Sequence, residues 1–127
     1  MQYVTHNDRV HIDVSLSHKQ GNLDAGYDLL CKLFGHPTMG DGQKVDAEWR
    51  IEFEDGTKAT IHNWKNGYAY CGVQGTPTTQ ITRWSVGGYN QRSLDLVKRL
   101  VDDHETVATI QGHIEEITEE ERIANGN

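Results

Sequence analysis

Residues 49–64 read Trp-Arg-Ile-Glu-Phe-Glu-Asp-Gly-Thr-Lys-Ala-Thr-Ile-His-Asn-Trp and carry the pattern of a β-hairpin. Trp49, Ile51 and Phe53 alternate with charged residues, which is the two-residue period of a strand with one buried and one exposed face. The Asp-Gly pair that follows is typical of a turn between two strands. We therefore expect an antiparallel sheet that is built around this hairpin.

The length of the turn decides which residues face each other across the hairpin. A two-residue loop would set Phe53 opposite Lys58 and mix the buried with the exposed face, so we reject it. A three-residue loop, Glu54-Asp55-Gly56, keeps the faces separate and requires a left-handed conformation at the glycine. This register predicts the pairs Phe53–Thr57, Ile51–Ala59, Trp49–Ile61 and, on the exposed face, Glu52–Lys58.

Segments on either side of the hairpin supply further strands and helices. Residues 9–17 and 81–86 alternate between apolar and polar side chains, as strands do. Apolar residues recur at helical spacing at about 23–34 and again at about 90–102. We therefore predict an α+β fold, in which an antiparallel sheet built on the central hairpin (49–64) has both helices packed on one face. The predicted core comprises Val10, Ile12, Val14, Leu30, Phe34, Trp49, Ile51, Phe53, Ile61, Trp84, Val86, Leu94 and Val97.

The charges divide the chain into a neutral body and an acidic extension. At 127 residues the chain has the size of one domain. Residues 1–101 hold 11 Lys and Arg against 11 Asp and Glu, whereas residues 102–127 hold eight acids and one arginine. We predict a single α+β domain over residues 1–103 and an acidic, partly helical extension over residues 104–127. Such an extension commonly serves solubility, and imitation of a polyanion is the alternative.

Composition excludes several classes of partner. A neutral body with an acidic extension lacks the basic face that duplex nucleic acid requires. No apolar run approaches the roughly 20 residues of a membrane span, and the N-terminus lacks the pattern of a signal peptide. Cys31 and Cys71 belong to no CxxC pattern, so we expect two free thiols in a reducing compartment.

No motif for catalysis or metal binding is present. The seven histidines include no HxH, HxxxH or HExxH pair, although His11 and His62 could still meet in space. The chain contains no GxSxG nucleophile motif, and Glu52 and Glu54 lie beside a turn, where charged residues commonly protect a sheet edge. The sequence therefore predicts a non-enzymatic protein with no catalytic residue, no metal and no cofactor.

The exposed face of the hairpin is the first candidate binding surface. Parity places Thr60 on this face together with Arg50, His62 and Trp64, and Lys65 follows directly. An exposed tryptophan beside a histidine is typical of a contact surface, because indole combines a large apolar area with a polar edge.

A Gly-Gly corner is the second candidate binding surface. It joins the predicted strand 81–86 to the predicted helix 90–102, where free backbone N–H groups and the positive end of a helix dipole suit an anion. A tight connection without a ligand is the alternative interpretation. If the two surfaces met, an aromatic platform and an anion site would together suit a nucleotide. The residues of this corner are Arg83, Gly87, Gly88 and Arg92.

Three stretches occur in an order that is recognisable as a set. They are Leu-Phe-Gly-His-Pro (33–37), the hairpin with its Phe-x-Asp-Gly-Thr turn and Ala-Thr-Ile strand (47–65), and Trp-Ser-Val-Gly-Gly (84–88). With them, residues 9–101 resemble a group of small uncharacterised bacteriophage proteins, from which no catalytic residue can be carried over.

The resemblance implies an accessory phage protein in the host cytoplasm. Small acidic phage proteins without catalytic motifs often inhibit host defence, so we expect an anti-CRISPR-like inhibitor that binds a host defence protein complex. The second hypothesis is a sponge that sequesters a signalling nucleotide, and the third is a small nucleotide hydrolase. The sequence leaves homodimer formation open.

Overall fold

The computed structural model describes residues 1–105 and shows an α+β fold with an open antiparallel sheet, which confirms the predicted fold class. The acidic, partly helical extension predicted over residues 104–127 lies almost wholly outside the described residues. The described strands are β1 (Tyr3–Thr5), β2 (His18–Asp24), β3 (Thr38–Met39), β4 (Ala47–Phe53), β5 (Lys58–His62) and β6 (Arg83–Gly88). The helices are α1 (Tyr27–Phe34), the short α2 (Tyr68–Cys71) and α3, which is described over 91–105.

The strands follow the order β1-β4-β5-β6-β2, and β3 pairs with the start of β4. Every pairing between these strands is antiparallel. The hairpin of β4 and β5 therefore lies inside the sheet rather than at its edge. Apolar residues of α1 and α3 join those of the inner sheet face in one core cluster.

The central hairpin has the predicted register. The N–H of Phe53 donates to the carbonyl of Thr57 at 2.8 Å, which closes the three-residue loop. Gly56 has a φ of 88°, the left-handed conformation that the loop requires and that glycine adopts without steric cost. The observed pairs include Trp49–Ile61, Ile51–Ala59 and Glu52–Lys58.

Two buried tryptophans connect the sheet to both ends of α1. Trp49 and Trp84 are fully buried, and their rings meet edge to face with centroids 5.2 Å apart. The indole N–H of Trp84 donates to the carbonyl of Ala25, before the helix, at 2.9 Å. That of Trp49 donates to the carbonyl of Gly35, after the helix, at 2.7 Å. Each buried indole thus satisfies its polar atom on backbone that flanks the helix, which fixes α1 on the sheet.

The prediction of a strand at 9–17 is wrong. Arg9 and Leu16 both have left-handed backbone, with φ values of 62° and 66°, and the residues between them form no strand pairs within residues 1–105. The position beside β6 is taken instead by β2, whose sequence His-Lys-Gln-Gly-Asn-Leu-Asp shows no clear alternation. Pairing with the distant strand β6 determined that β2 is a strand. The local apolar alternation at 9–17 was not sufficient to make that segment a strand.

Both predicted helices exist, with a shifted start at α1. This helix begins at Tyr27 rather than at 23, because Leu23 belongs to β2 and pairs with Trp84. Leu23 lies at helical spacing from Tyr27 by coincidence, since its burial comes from the sheet. At the other boundary, β6 continues through the two glycines to Gly88 instead of ending at 86.

Gly88 is required by close packing between β6 and α3. A Cβ at this position would lie 2.1 Å from Oγ of Ser93, whose hydroxyl donates to the carbonyl of Lys58 at 2.6 Å. We expect Gly88→Ala to lower the free energy of unfolding by about 2 kcal/mol, because α3 must shift and that hydrogen bond is lost. Urea denaturation would measure the change. Gly26→Ala is the matched control, since a Cβ there meets nothing within 4 Å; an equal loss in both variants would contradict the packing explanation.

Candidate functional site

An aromatic surface lies just beyond the end of β5. Of the ten large apolar side chains that are exposed within residues 1–105, four fall between 64 and 73. Trp64 is 48% exposed and Val73 is 96% exposed, and Tyr68 and Tyr70 lie between them. We call these four residues, with Lys44 and Lys65, the Trp64 patch. Such a concentration of apolar area at one place is typical of an interaction surface.

Two lysines bring positive charge onto this surface. The Nζ atoms of Lys44 and Lys65 lie 5.5 Å and 5.6 Å from the centroid of the Trp64 ring. Lys65 Nζ also lies 5.3 Å from the centroid of the Tyr70 ring. Both ammonium groups are within the distance at which a cation is attracted to an aromatic face. The patch is therefore cationic as well as aromatic.

The backbone around the patch holds the two lysines together. The N–H of Lys65 donates to the carbonyl of Lys44 at 2.9 Å. Lys65 has a left-handed φ of 58°, which is unfavourable for a residue with a Cβ and which brings its side chain between two aromatic rings. On the other side, one carboxylate oxygen of Asp41 accepts from the backbone N–H groups of three residues, including Lys44 at 2.9 Å.

Asn63 is the structural base of the patch. Its side chain is fully buried, and its Oδ1 accepts from the N–H groups of Asp46 at 2.8 Å and Ala47 at 3.2 Å. Its Nδ2 donates to Oδ2 of Asp46 at 2.7 Å and to Oδ1 of Asn66 at 3.1 Å. The other carboxylate oxygen of Asp46 accepts from the N–H of Ala69 in α2 at 2.9 Å. This network fastens the loop that carries Trp64 to the first residues of β4.

His62 lies beside Trp64 and is mostly buried. The two rings meet edge to face with centroids 6.5 Å apart. Nδ1 of His62 is buried and has no hydrogen-bond partner in the described part of the chain. Burial lowers the pKa of this imidazole below its usual 6.5, with smaller opposing and reinforcing contributions from Glu48 and Lys19. His62 is therefore neutral at pH 7.

The neutral state of His62 predicts a dependence of stability on pH. Burial in the folded state disfavours the protonated imidazole. The stability that neutral His62 contributes is therefore fully present above pH 6.5 and declines as the pH falls below that value. We expect His62→Gln to remove this part of the acid sensitivity, measured as thermal midpoints between pH 7.5 and pH 5. His18→Gln, at an exposed histidine, is the control. An unchanged pH profile in the His62 variant would contradict the prediction.

The middle of the outer sheet face is covered, contrary to the expectation that it is a binding surface. Thr60, expected on the exposed side, is only 4% exposed. The segment 9–17 crosses this face, with Ile12 buried and its carbonyl accepting from Nη1 of Arg50 at 3.3 Å. Arg50 also forms an ion pair with Glu48 at 3.1 Å. At the end of this face Trp64 is 48% exposed.

The Gly-Gly corner is closely packed. Gly87 lies in β6 opposite Thr60, and its N-terminal and C-terminal neighbours belong to the same strand. The side chain of Asn90 accepts from the N–H of Arg92 at 3.0 Å, so it occupies one of the free donors at the start of α3. Nε of Arg92 donates to Asp55 at 2.7 Å. Hydrogen bonds from Thr57 and then from Arg92 lower the pKa of Asp55 to about 2.

The two predicted surfaces do not meet. His62 pairs with Ser85, whereas Thr60 pairs with Gly87, so Trp64 extends away from the glycines along β5. At roughly 3.3 Å per residue, the four residues from Thr60 to Trp64 span about 13 Å. Arg83, the one member of the corner at the Trp64 end, is linked through its carbonyl to Asn66 at 3.3 Å. A nucleotide pocket shared by the two surfaces is therefore not formed.

Several residues of the patch were not predicted from the sequence. No helix was predicted between the hairpin and the strand at 81–86, yet this segment contains the one-turn helix α2 and a 3₁₀ turn at Gly72–Gln74. The available signal was the Tyr-Ala-Tyr sequence between glycines, which places apolar side chains where no core can bury them. Asn63 had no signal, because its importance comes from Asp46, 17 positions earlier.

Comparisons and searches for specific sites add no further assignment. No protein-family model matches this chain, and comparisons with curated proteins and with solved structures give no significant match. Within residues 1–105, no three His, Cys, Asp or Glu side chains are grouped so that they could hold a metal ion. None of the helices in that range is both long and apolar enough to cross a membrane.

Proposed function

We propose that this chain is a non-enzymatic binding protein that docks on a protein partner through the Trp64 patch. The observation that carries the proposal is the concentration of exposed aromatic and aliphatic side chains on a loop that buried hydrogen bonds hold in place. Aromatic residues on a rigid base are the usual anchors of protein interfaces, because little conformational entropy is lost when they bind.

The partner that we propose is a host defence protein complex, and the protein acts as a phage-encoded inhibitor in the host cytoplasm. The resemblance of residues 9–101 to small phage proteins supports this choice. The Trp64 patch supports a protein partner over a sequestered nucleotide, because a small ligand requires a concave site that encloses most of its surface. The patch is instead open to solvent, with Val73 96% exposed.

An assay that combines capture with phage growth tests this function. The tagged full chain should recover a single defence complex from lysate of a defended host, and its expression should restore plating of a phage that the complex restricts. Leu16→Gly is the matched control, since it removes an 87% exposed apolar side chain at a φ of 66° that suits glycine. Recovery of abundant chaperones alone, with no effect on plating, would contradict the proposal.

A further inference from the structure

The two ammonium groups of the Trp64 patch are not held in a salt bridge within the described chain, although the charge of Asp41 interacts with that of Lys44. Neither Lys44 nor Lys65 forms a salt bridge in residues 1–105. The nearby carboxylates are used elsewhere, since Asp41 accepts three backbone N–H groups and Asp46 is bonded to Asn63 and Ala69. Two ammonium groups thus converge on one indole ring, and neither is held in a salt bridge within residues 1–105.

An apolar depression lies on the same loop. It has a volume of about 300 Å³, is open to solvent, and is lined by Tyr68, Gly72 and Val73. This space can receive one leucine or phenylalanine side chain, whereas a complete nucleotide would remain largely exposed. Apolar anchors in shallow pockets commonly provide most of the binding energy at protein interfaces.

We infer that the Trp64 patch recognises an acidic protein segment in which carboxylates flank an apolar anchor residue. The carboxylates bind Lys44 and Lys65, and the anchor enters the depression at Tyr68 and Val73. This inference rests on the proposed function and specifies the chemistry of the partner. Opposite charges at an interface raise the association rate and exclude partners of the wrong sign. The two lysines therefore favour apolar segments that carry carboxylates over those that do not.

Charge also argues against the main alternative, a single-stranded nucleic acid stacked on the aromatic rings. Residues 1–101 hold 11 Lys and Arg against 11 Asp and Glu, so the body offers two lysines at the patch but not the extended basic face that a polyanion requires. The two ammonium groups moreover lie within 5.6 Å of the centroid of the Trp64 ring, where they compete with a stacked base for space. A short acidic segment meets only the local positive charge and needs no free ring face.

Fluorescence of Trp64 allows a direct test with synthetic probes. Trp49 and Trp84 are 0% and 1% exposed, so iodide quenching of the full chain reports on Trp64. The probe is the peptide Glu-Glu-Leu-Phe-Glu-Glu, which should protect Trp64 from iodide. The comparison probes are Gln-Gln-Leu-Phe-Gln-Gln, Glu-Glu-Ser-Ser-Glu-Glu and a ten-nucleotide oligothymidylate, each of which should bind at least about tenfold more weakly.

Variants assign the effect to the two lysines. The Lys44→Gln, Lys65→Gln double variant should weaken binding of the acidic probe by about tenfold or more, whereas Lys98→Gln, at an exposed lysine of α3, should leave it unchanged. Failure of the acidic peptide to protect Trp64, or tighter binding of oligothymidylate, would overturn the inference.

Capture from host lysate separates this inference from the proposed function. If the double lysine variant still recovers the host complex while Trp64→Ala does not, the acidic chemistry is wrong and the docking surface stands. If Trp64→Ala and the double lysine variant each recover the complex as efficiently as the unchanged chain does, the partner does not dock on the Trp64 patch.

Discussion

Asn63→Ala is expected to lower the free energy of unfolding by about 3 kcal/mol, which is the largest loss of stability that we predict for a single polar residue. The change leaves the N–H groups of Asp46 and Ala47 without their acceptor and removes the donor that holds the Asp46 carboxylate. Because Asn63 and Ala47 are buried and Asp46 is partly buried, solvent replaces the lost hydrogen bonds poorly. Urea denaturation monitored by far-UV circular dichroism would measure the loss.

Two further variants distinguish the parts of this network. Asn63→Asp retains an acceptor for the two backbone N–H groups but brings a carboxylate to within about 2.7 Å of Oδ2 of Asp46, so repulsion should destabilise the fold. Asn66→Ala removes a single hydrogen bond at the edge of the network and should cost about 1 kcal/mol. If Asn63→Ala costs no more than Asn66→Ala, the loop does not depend on Asn63.

Trp64→Ala is expected to weaken binding to the protein partner by about 2 kcal/mol or more, which corresponds to roughly 30-fold. The indole is the largest exposed side chain of the patch and the ring toward which both lysines converge. Since 48% of the residue is already exposed, the fold should lose less than about 1 kcal/mol. Surface plasmon resonance against the captured complex would give the affinity.

The two expectations for Trp64 must hold together. The matched control Leu16→Gly removes a more exposed apolar side chain at the opposite end of the sheet face, near Tyr89, and should leave affinity within about twofold. A Trp64 variant that binds as tightly as Leu16→Gly would show that the partner does not use this surface. Equal urea midpoints for the Trp64 variant and the unchanged chain would exclude unfolding as the cause of lost binding.

The sequence determined the centre of the fold because its signals there are local. Alternation at Trp49, Ile51 and Phe53 specifies which face is buried, and the left-handed requirement at Gly56 specifies the turn. Both constraints act over fewer than ten residues, and together they leave one register. The prediction of an antiparallel sheet followed from them, whereas the two helices were predicted from apolar residues at helical spacing.

Tertiary structure alone decided which segments complete the sheet. The period at 9–17 is as regular as that of the hairpin, yet β2 occupies the edge beside β6. There Gly21 pairs with Val86 and lies against Leu94 of α3, and Leu23 pairs with Trp84. An alternating segment becomes a strand only if a sheet edge is free to pair with it. The sequence of the segment alone does not show whether such an edge exists.

The candidate site shows the same division. Parity placed Trp64 on the outer face, and its exposure is observed. Parity could not show that Thr60 on the same face is buried, or that the Ile12 carbonyl lies beside Arg50, the residue paired with Thr60. The sequence also could not separate Trp64 from Gly87, since their distance is set by strand pairing. Chain-local rules determined the hairpin and its exposed tryptophan. Contacts between distant segments, through Asn63, Asp46 and the two lysines, decided that this tryptophan belongs to a rigid cationic patch.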